Sequence, residues 1–239
     1  WVSLRDNREK STLARRNVSP YMTGYQDLDA YGDWDTADDY GTVWYPRAVS
    51  AGWAPYSDGR WAWVEPWGWT WIDAAPWGFA PFHYGRWILI GDRWGWAPGA
   101  YTARPVYAPA LVGWYGNPGW SASFSYGAAP AVGWFPLAPR EVYVPAYRTS
   151  PTYLRQLNVT HVTNVREIER AARPDYRPHY RHSGQPQAVT VVPANTLREG
   201  KPVERLCERS GDEVRTTQAG IPFYRHQRRE VYKHCGRLD

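Results

Sequence analysis

The chain has 239 residues and 43% hydrophobic content, enough for a core, but that share rests on 16 Trp and 18 Tyr with a single Met. With 21 Gly and 21 Pro it is too punctuated for long helices, and no apolar run reaches the roughly 20 residues of a membrane helix. The formal charge of +5 hides a division: Tyr21–Glu141 carries 6 Arg against 11 Asp and Glu, whereas Arg148–Asp239 carries 17 Lys and Arg against 10 Asp and Glu. An acidic aromatic body is followed by a basic arm, whose charge suits nucleic acid, anionic lipid or the body itself.

The chain opens on Trp1 and its only Met is Met22, so the natural start is expected upstream, together with any signal peptide. Residues 1–16 have helical composition with few apolar positions, and Pro20 and Gly24 make the following stretch irregular. Residues 1–24 therefore form a helical or irregular linker. Asp33, Asp35, Asp38 and Asp39 cluster next, but they lack the glycine and the terminal Glu of a calcium loop, which leaves a solvated acidic turn.

Residues 25–147 form the Trp-rich body, holding 15 of the 16 Trp. A unit recurs in it: Gly52-Trp53-Ala54-Pro55-Tyr56 leads to Gly59-Arg60-Trp61, and 26 residues later Gly78-Phe79-Ala80-Pro81-Phe82 leads to Gly85-Arg86-Trp87. Gly95-Trp96-Ala97-Pro98 and Gly133-Trp134-Phe135-Pro136 echo its core. Reuse at so short a period marks a structural repeat. Arg60–Val64 and Trp69–Ile72 read as strands around a Glu65-Pro66-Trp67-Gly68 turn; Arg86–Ile90 and Arg93–Trp96 read as a hairpin around Gly91-Asp92. Further strands are expected at Leu111–Tyr115, Trp120–Tyr126 and Val132–Phe135. The fold class is an all-β body of short antiparallel hairpins, with no helix between Tyr40 and Tyr147 and with equivalent backbone in 52–64 and 78–90.

Residues 148–239 make up the basic arm, mixed and partly irregular. Ser150-Pro151 starts a helix reaching Leu154 and Leu157. Asn164 caps a second helix over Val165–Arg173, stopped by Pro174. Ala188–Val192 reads as a strand, and Leu197–Gly200 as one turn with a glycine stop.

The units Tyr-x-x-x-Trp, Gly-Trp-Ala-Pro-Tyr, Gly-Arg-Trp, Trp-Gly-Trp-Thr-Trp and His83-Tyr84-Gly85-Arg86-Trp87 resemble the YXWGXW-repeat proteins of proteobacteria, a family of unknown function. The similarity runs over about residues 17–203. It implies an exported protein, periplasmic or on the cell surface, and Trp1–Arg16 looks like the linker after a FecR-type domain. The family offers no catalytic residues to carry over. Cys207 and Cys235 are the only cysteines and have no Cys-x-x-Cys or haem motif; a disulfide between them is the simplest use, and the compartment implied by the resemblance favours it.

The chain has no Gly-x-Ser-x-Gly, phosphate loop or His-Glu-x-x-His. Glu65 and Asp73 are the carboxylates a hydrolase would pair, and His179, His182, His226 and His234 are the histidines a metal would gather. Neither pattern is specific, so no catalytic residue, metal or cofactor is assigned and the reading is non-enzymatic. What remains is contact through aromatic and Arg-rich surfaces, with Trp53, Trp61, Trp67, Trp69, Trp71, Trp77, Trp87, Trp94, Trp96, Arg60 and Arg86 as candidate binding residues. The expected partner is a protein or a second copy in the cell envelope, not nucleic acid, with glycan or peptidoglycan as the alternative. Core packing competes for the same rings, since each Trp can bury about 150–250 Å².

Overall fold

A computed structural model describes residues 12–115, 124–126, 129–145, 147–173, 175–176, 178–204 and 214–216. Cys207, Cys235, His226 and His234 lie outside the described residues. Helix α1 (Thr12–Asn17), a 3-10 turn (Tyr25–Asp27) and α2 (Leu28–Tyr31) lead into strands β1 (Gly32–Ala37) and β2 (Gly41–Pro46). The hairpin of β3 (Asp58–Val64) and β4 (Gly68–Asp73) follows, then α3 (Phe79–His83) and the hairpin of β5 (Arg86–Ile90) and β6 (Arg93–Ala97). Strands β7 (Val112–Tyr115), β8 (Phe124–Tyr126) and β9 (Ala129–Pro136) close the body. In the arm come α4 (Pro151–Asn158), α5 (Val165–Ala171), β10 (Thr190–Pro193), α6 (Ala194–Arg198), β11 (Pro202–Glu204) and β12 (Val214–Thr216).

Three antiparallel sheets result: β1-β2-β6-β5, then β11-β3-β4, and a third in which β9 pairs with β7, β8 and β10 and β8 with β12. Each is built on tryptophans placed directly across a ladder, where side chains sit closest. Trp34 faces Trp44, Trp61 faces Trp71, Trp63 faces Trp69, Trp87 faces Trp96, and Trp114 faces Trp134. One core cluster draws from all three sheets, and Trp44, Trp61, Trp71, Trp87, Trp96 and Trp134 are its largest fully buried side chains. Their indole N–H groups mostly tie down backbone carbonyls outside the sheets: Trp44 donates to Leu28 (2.9 Å), Trp87 to Pro81 (3.0 Å), Trp96 to Tyr84 (2.8 Å) and Trp134 to Tyr56 (2.9 Å).

The hairpins fall where expected, but the two repeat copies differ ahead of their strands. The second contains α3, so the expectation of a helix-free body with equivalent backbone at 52–64 and 78–90 is overturned. In the first copy the Ser57 hydroxyl folds back on Ala54, accepting from its N–H (3.3 Å) and donating to its carbonyl (2.6 Å), and Tyr56 takes φ 63°. That arrests the chain as a tight turn. His83 holds the matching place in the second copy; it sends its Nδ1 to the Ala108 carbonyl instead (2.8 Å), and the helix closes with Tyr84 N–H on Ala80. The copies meet in the core, where Tyr56 and Phe82 pack edge to face at 4.8 Å and the Tyr56 hydroxyl donates to the Phe82 carbonyl (2.9 Å).

Past that point the copies agree, and the Gly-Arg-Trp motif explains itself. A Cβ on Gly59 would come within 2.7 Å of the Trp71 ring, and one on Gly85 within 2.4 Å of Trp96 Nε1. In both hairpins the glycine makes room for the indole of the partner strand. Gly85→Ala should therefore cost about 2–4 kcal/mol, combining a left-handed φ of 69° with a blocked cradle. Gly41→Ala, with φ 68° and nothing within 4 Å, should cost about 1–2 kcal/mol. Chemical denaturation of the pair measures the difference, and equal losses would refute the cradle.

The arm is woven into the body: β10 pairs with β9, and β11 with β3. Its helices start as expected. Ser150 accepts from Tyr153 N–H (3.2 Å) with Pro151 at the first turn, and Asn164 accepts from Arg166 N–H (3.1 Å). The second helix ends at Ala171, two residues short of the expected Arg173.

Candidate interaction surface

The expected binding residues separate sharply. Trp61, Trp71, Trp77, Trp87, Trp94, Trp96 and Arg86 are buried, and a ring enclosed in the core has no free face to stack on a ligand. Trp53, Trp67 and Trp69 are half-buried and Arg60 is exposed. Trp53 is absorbed by the core as well, edge to face with Trp77 at 5.9 Å and Trp87 at 5.6 Å.

The exposed ring is Trp63, which the sequence reading did not single out. It is 61% accessible and is the one tryptophan in the exposed class among the described residues. Alternation along β3 puts Trp61 and Trp63 on the same face, and the core ends before it reaches the turn. That nearness to Glu65-Pro66-Trp67 was the available signal. Trp63 is nonetheless held in place: its Nε1 donates to Glu65 Oε1 (2.7 Å), it meets Trp69 edge to face (5.5 Å, 87°), and Gly68 leaves space beneath it.

On the other side of the turn, Trp67 packs edge to face on Tyr107 (5.3 Å), and Tyr107 stacks on His83 (4.8 Å, 28°) and lies near Phe79 (6.1 Å). Phe79 is 44% accessible. Burial drives the His83 imidazole down to about 4, so it stays neutral and donates or accepts as a fixed polar group. Val64 and Ile72 are also exposed on this hairpin. The turn end of β3–β4 thus presents Trp63 and Val64 to water, with Trp67 and Phe79 joined through Tyr107 on its other side, on rings whose orientation is already set.

The carboxylates a hydrolase would need are not brought together. Glu65 sits in the turn bound to Trp63, whereas Asp73 lies at the far end of β4, roughly 17 Å away by strand rise, beyond the spacing of paired glycosidase carboxylates. Asp73 is a structural acid, accepting from Trp71 Nε1 (2.8 Å) and Ala75 N–H (2.9 Å), and burial raises its pKa to about 7. Of the aspartates expected in an acidic turn, Asp33 and Asp35 lie in β1, and Asp33 is taken by Arg47 (2.8 Å), whose hydrogen bonding holds the carboxyl below its usual range. His182 is buried, with Nδ1 on the Pro136 carbonyl (2.9 Å) and its ring against Trp94. No group of three or more His, Cys, Asp or Glu fit to hold a metal occurs among the described residues.

Residues 25–141, the acidic body, match a family of unknown function (DUF6600). No curated protein and no solved structure matches the chain. No helix among the described residues is long and apolar enough to cross a membrane.

Proposed function

We propose that this chain is a non-enzymatic exported interaction module that docks a protein partner of the cell envelope, or a second copy of itself, through the tip of the β3–β4 hairpin. The observation that carries the reading is Trp63, left largely in solvent by a fold that encloses most of its other indoles. Aromatic side chains, Trp foremost, are the anchors around which interfaces are built. The resemblance to exported YXWGXW-repeat proteins supports the compartment, and the disulfide expected for Cys207 and Cys235 belongs to the same reading.

A photo-crosslinking residue at position 64, beside the anchor, should trap one partner in intact envelopes, and Trp63→Ala with Phe79→Ser should abolish the adduct. The substitutions should cost about 1 kcal/mol each, the share of one surface aromatic contact, and leave the fold intact. An unchanged crosslink in the double variant would refute the docking face. A glycan is the second reading, favoured by the bond from Glu65 that presents Trp63 as a fixed platform. In that case the wild-type protein cosediments with purified sacculi, Trp63→Ala does not, and no protein adduct forms.

A further inference from the structure

A second site lies away from the hairpin tip and owes nothing to the repeats. A cleft of about 450 Å³ opens between α1, the start of β2, the segment after β6 and the Pro139-Arg140 turn, within the size range of small-molecule sites. Arg16, Tyr40, Tyr101 and Arg140 project around it and His161 lies at its floor. The walls are fastened together: Ala100 N–H donates to the Thr160 carbonyl (2.9 Å), and Gly99, at φ 85°, brings its backbone so close that a Cβ would meet Thr160 O at 2.5 Å.

Arg140 is the informative residue. Among the described residues two non-glycines have positive φ, Tyr56 at 63° and Arg140 at 70°. The strain at Tyr56 is repaid in the core, where its hydroxyl donates to Phe82 O and accepts from Leu111 N–H (3.1 Å). Arg140 is exposed, and the contacts its side chain makes lie at the surface rather than in the core. Its turn is nevertheless clamped: the Glu141 carboxylate accepts from Ala138 N–H (2.7 Å) and from Arg181 N–H (2.6 Å). The strained backbone sends the guanidinium over the Tyr40 ring (5.8 Å), where one N–H donates to the Asp39 carbonyl (2.8 Å) and the other donors are left over. The Tyr40 hydroxyl is fixed by Arg181 Nη1 (2.9 Å). The side chain of Arg16, which also lines the cleft, makes no hydrogen bond or ion pair among the described residues. Backbone strain that the surrounding structure enforces clusters at binding sites.

From this geometry we infer that the cleft binds a small saccharide carrying one oxyanion, a carboxylate or a phosphate, with the anion between Arg140 and Arg16 and the sugar body against Tyr40 and Tyr101. A planar guanidinium with free donors suits either oxyanion. The ring of Tyr101, 63% accessible, and the hydroxyls of Thr42 and Thr160 suit a polyol more than an apolar tail. The acidic side chain in the lining is Asp39, which favours a single negative charge over several. His161 does not add charge: burial keeps it neutral, and its buried Nε2 has no hydrogen-bond partner among the described residues.

Calorimetric titration of the full chain with glucuronate, glucose 1-phosphate and glucose, in parallel with thermal melting, tests this. Glucuronate or glucose 1-phosphate should bind in the millimolar range or tighter and glucose should not; whichever anion binds identifies the oxyanion. Arg140→Gly should weaken the anion roughly tenfold or more, the loss expected of one charge-assisted bond, while the melting temperature holds or rises because glycine relieves the left-handed φ. Arg16→Ala should weaken it without changing the melting temperature. Arg140→Gly with a lower melting temperature and unchanged affinity would make Arg140 a mere strut for the Asp39 turn and overturn the site. So would equal binding of glucose, or no binding of any probe.

Discussion

Asn158→Ala should destabilise the protein by about 3–5 kcal/mol, the range for stripping the partner from a buried charge. Arg86 is 1% exposed and has no carboxylate within ion-pair distance among the described residues. Its charge is met by the Gly85 carbonyl (2.8 Å), the Glu141 carbonyl (3.3 Å) and Asn158 Oδ1 (3.0 Å), and desolvation drops its pKa to about 10, still charged at neutrality. Asn158 spends every site of its amide here: Oδ1 also accepts from Tyr143 N–H (2.7 Å), and Nδ2 donates to Tyr143 O and Leu154 O (2.9 Å each). Truncation removes four buried hydrogen bonds at once. Arg86→Met should cost far less, because Asn158 keeps its backbone partners and the buried charge disappears with its desolvation cost. Urea unfolding of the two variants decides it; equal losses would show that the Arg86 charge itself holds the arm to the body.

Acidification should produce the other large effect. His83 and His182 are buried and titrate near 4 in the fold against about 6.5 in the unfolded chain. The unfolded state therefore takes up protons first, and stability present above pH 6.5 is lost as pH falls toward 4, by about 3 kcal/mol per histidine. His161, also held below its usual range by burial, acts in the same direction. Asp73 opposes them: its folded pKa near 7 exceeds the ordinary 3.8, so its penalty is greatest above pH 7 and fades on acidification, returning roughly 3 kcal/mol by pH 4. The net result is a loss of about 3 kcal/mol or more between pH 7 and 4. His182→Gln should make the profile shallower by about the share of one imidazole. A wild-type profile flat or rising toward pH 4 would refute the assignment.

The hairpins were legible because Gly91-Asp92 and Glu65-Pro66-Trp67-Gly68 are local turn signals set between alternating aromatics, and the arm helices because Ser150 and Asn164 are local caps. The helix α3 was not, since the two copies differ by what Ser57 and His83 bond to, and His83 finds its partner 25 residues away. The candidate surface was legible only by region. Composition cannot tell Trp61 from Trp63, two residues apart on one face, until the depth of the core is known; nor can it tell Arg60 from Arg86, whose motif is identical but whose outer face is covered in the second case by Glu141 and Asn158. The cleft left no trace in the sequence, because its lining comes from five separated segments and its signature is the backbone angle of Arg140.

The pairing of Pro202 with Arg60 has a kinetic consequence. More than half the chain must be closed into a loop before β11 can settle on β3, and ladders joined over such separations form slowly. When the chain emerges from its N-terminus, β3 is complete long before its neighbour exists, and through that interval it presents an unpaired edge carrying Trp61 and Trp63. Such edges recruit strands from other chains. Output of folded protein should then be limited by how quickly residues 190–204 arrive, and slowing their delivery should feed dimers in which one chain lends its arm to another.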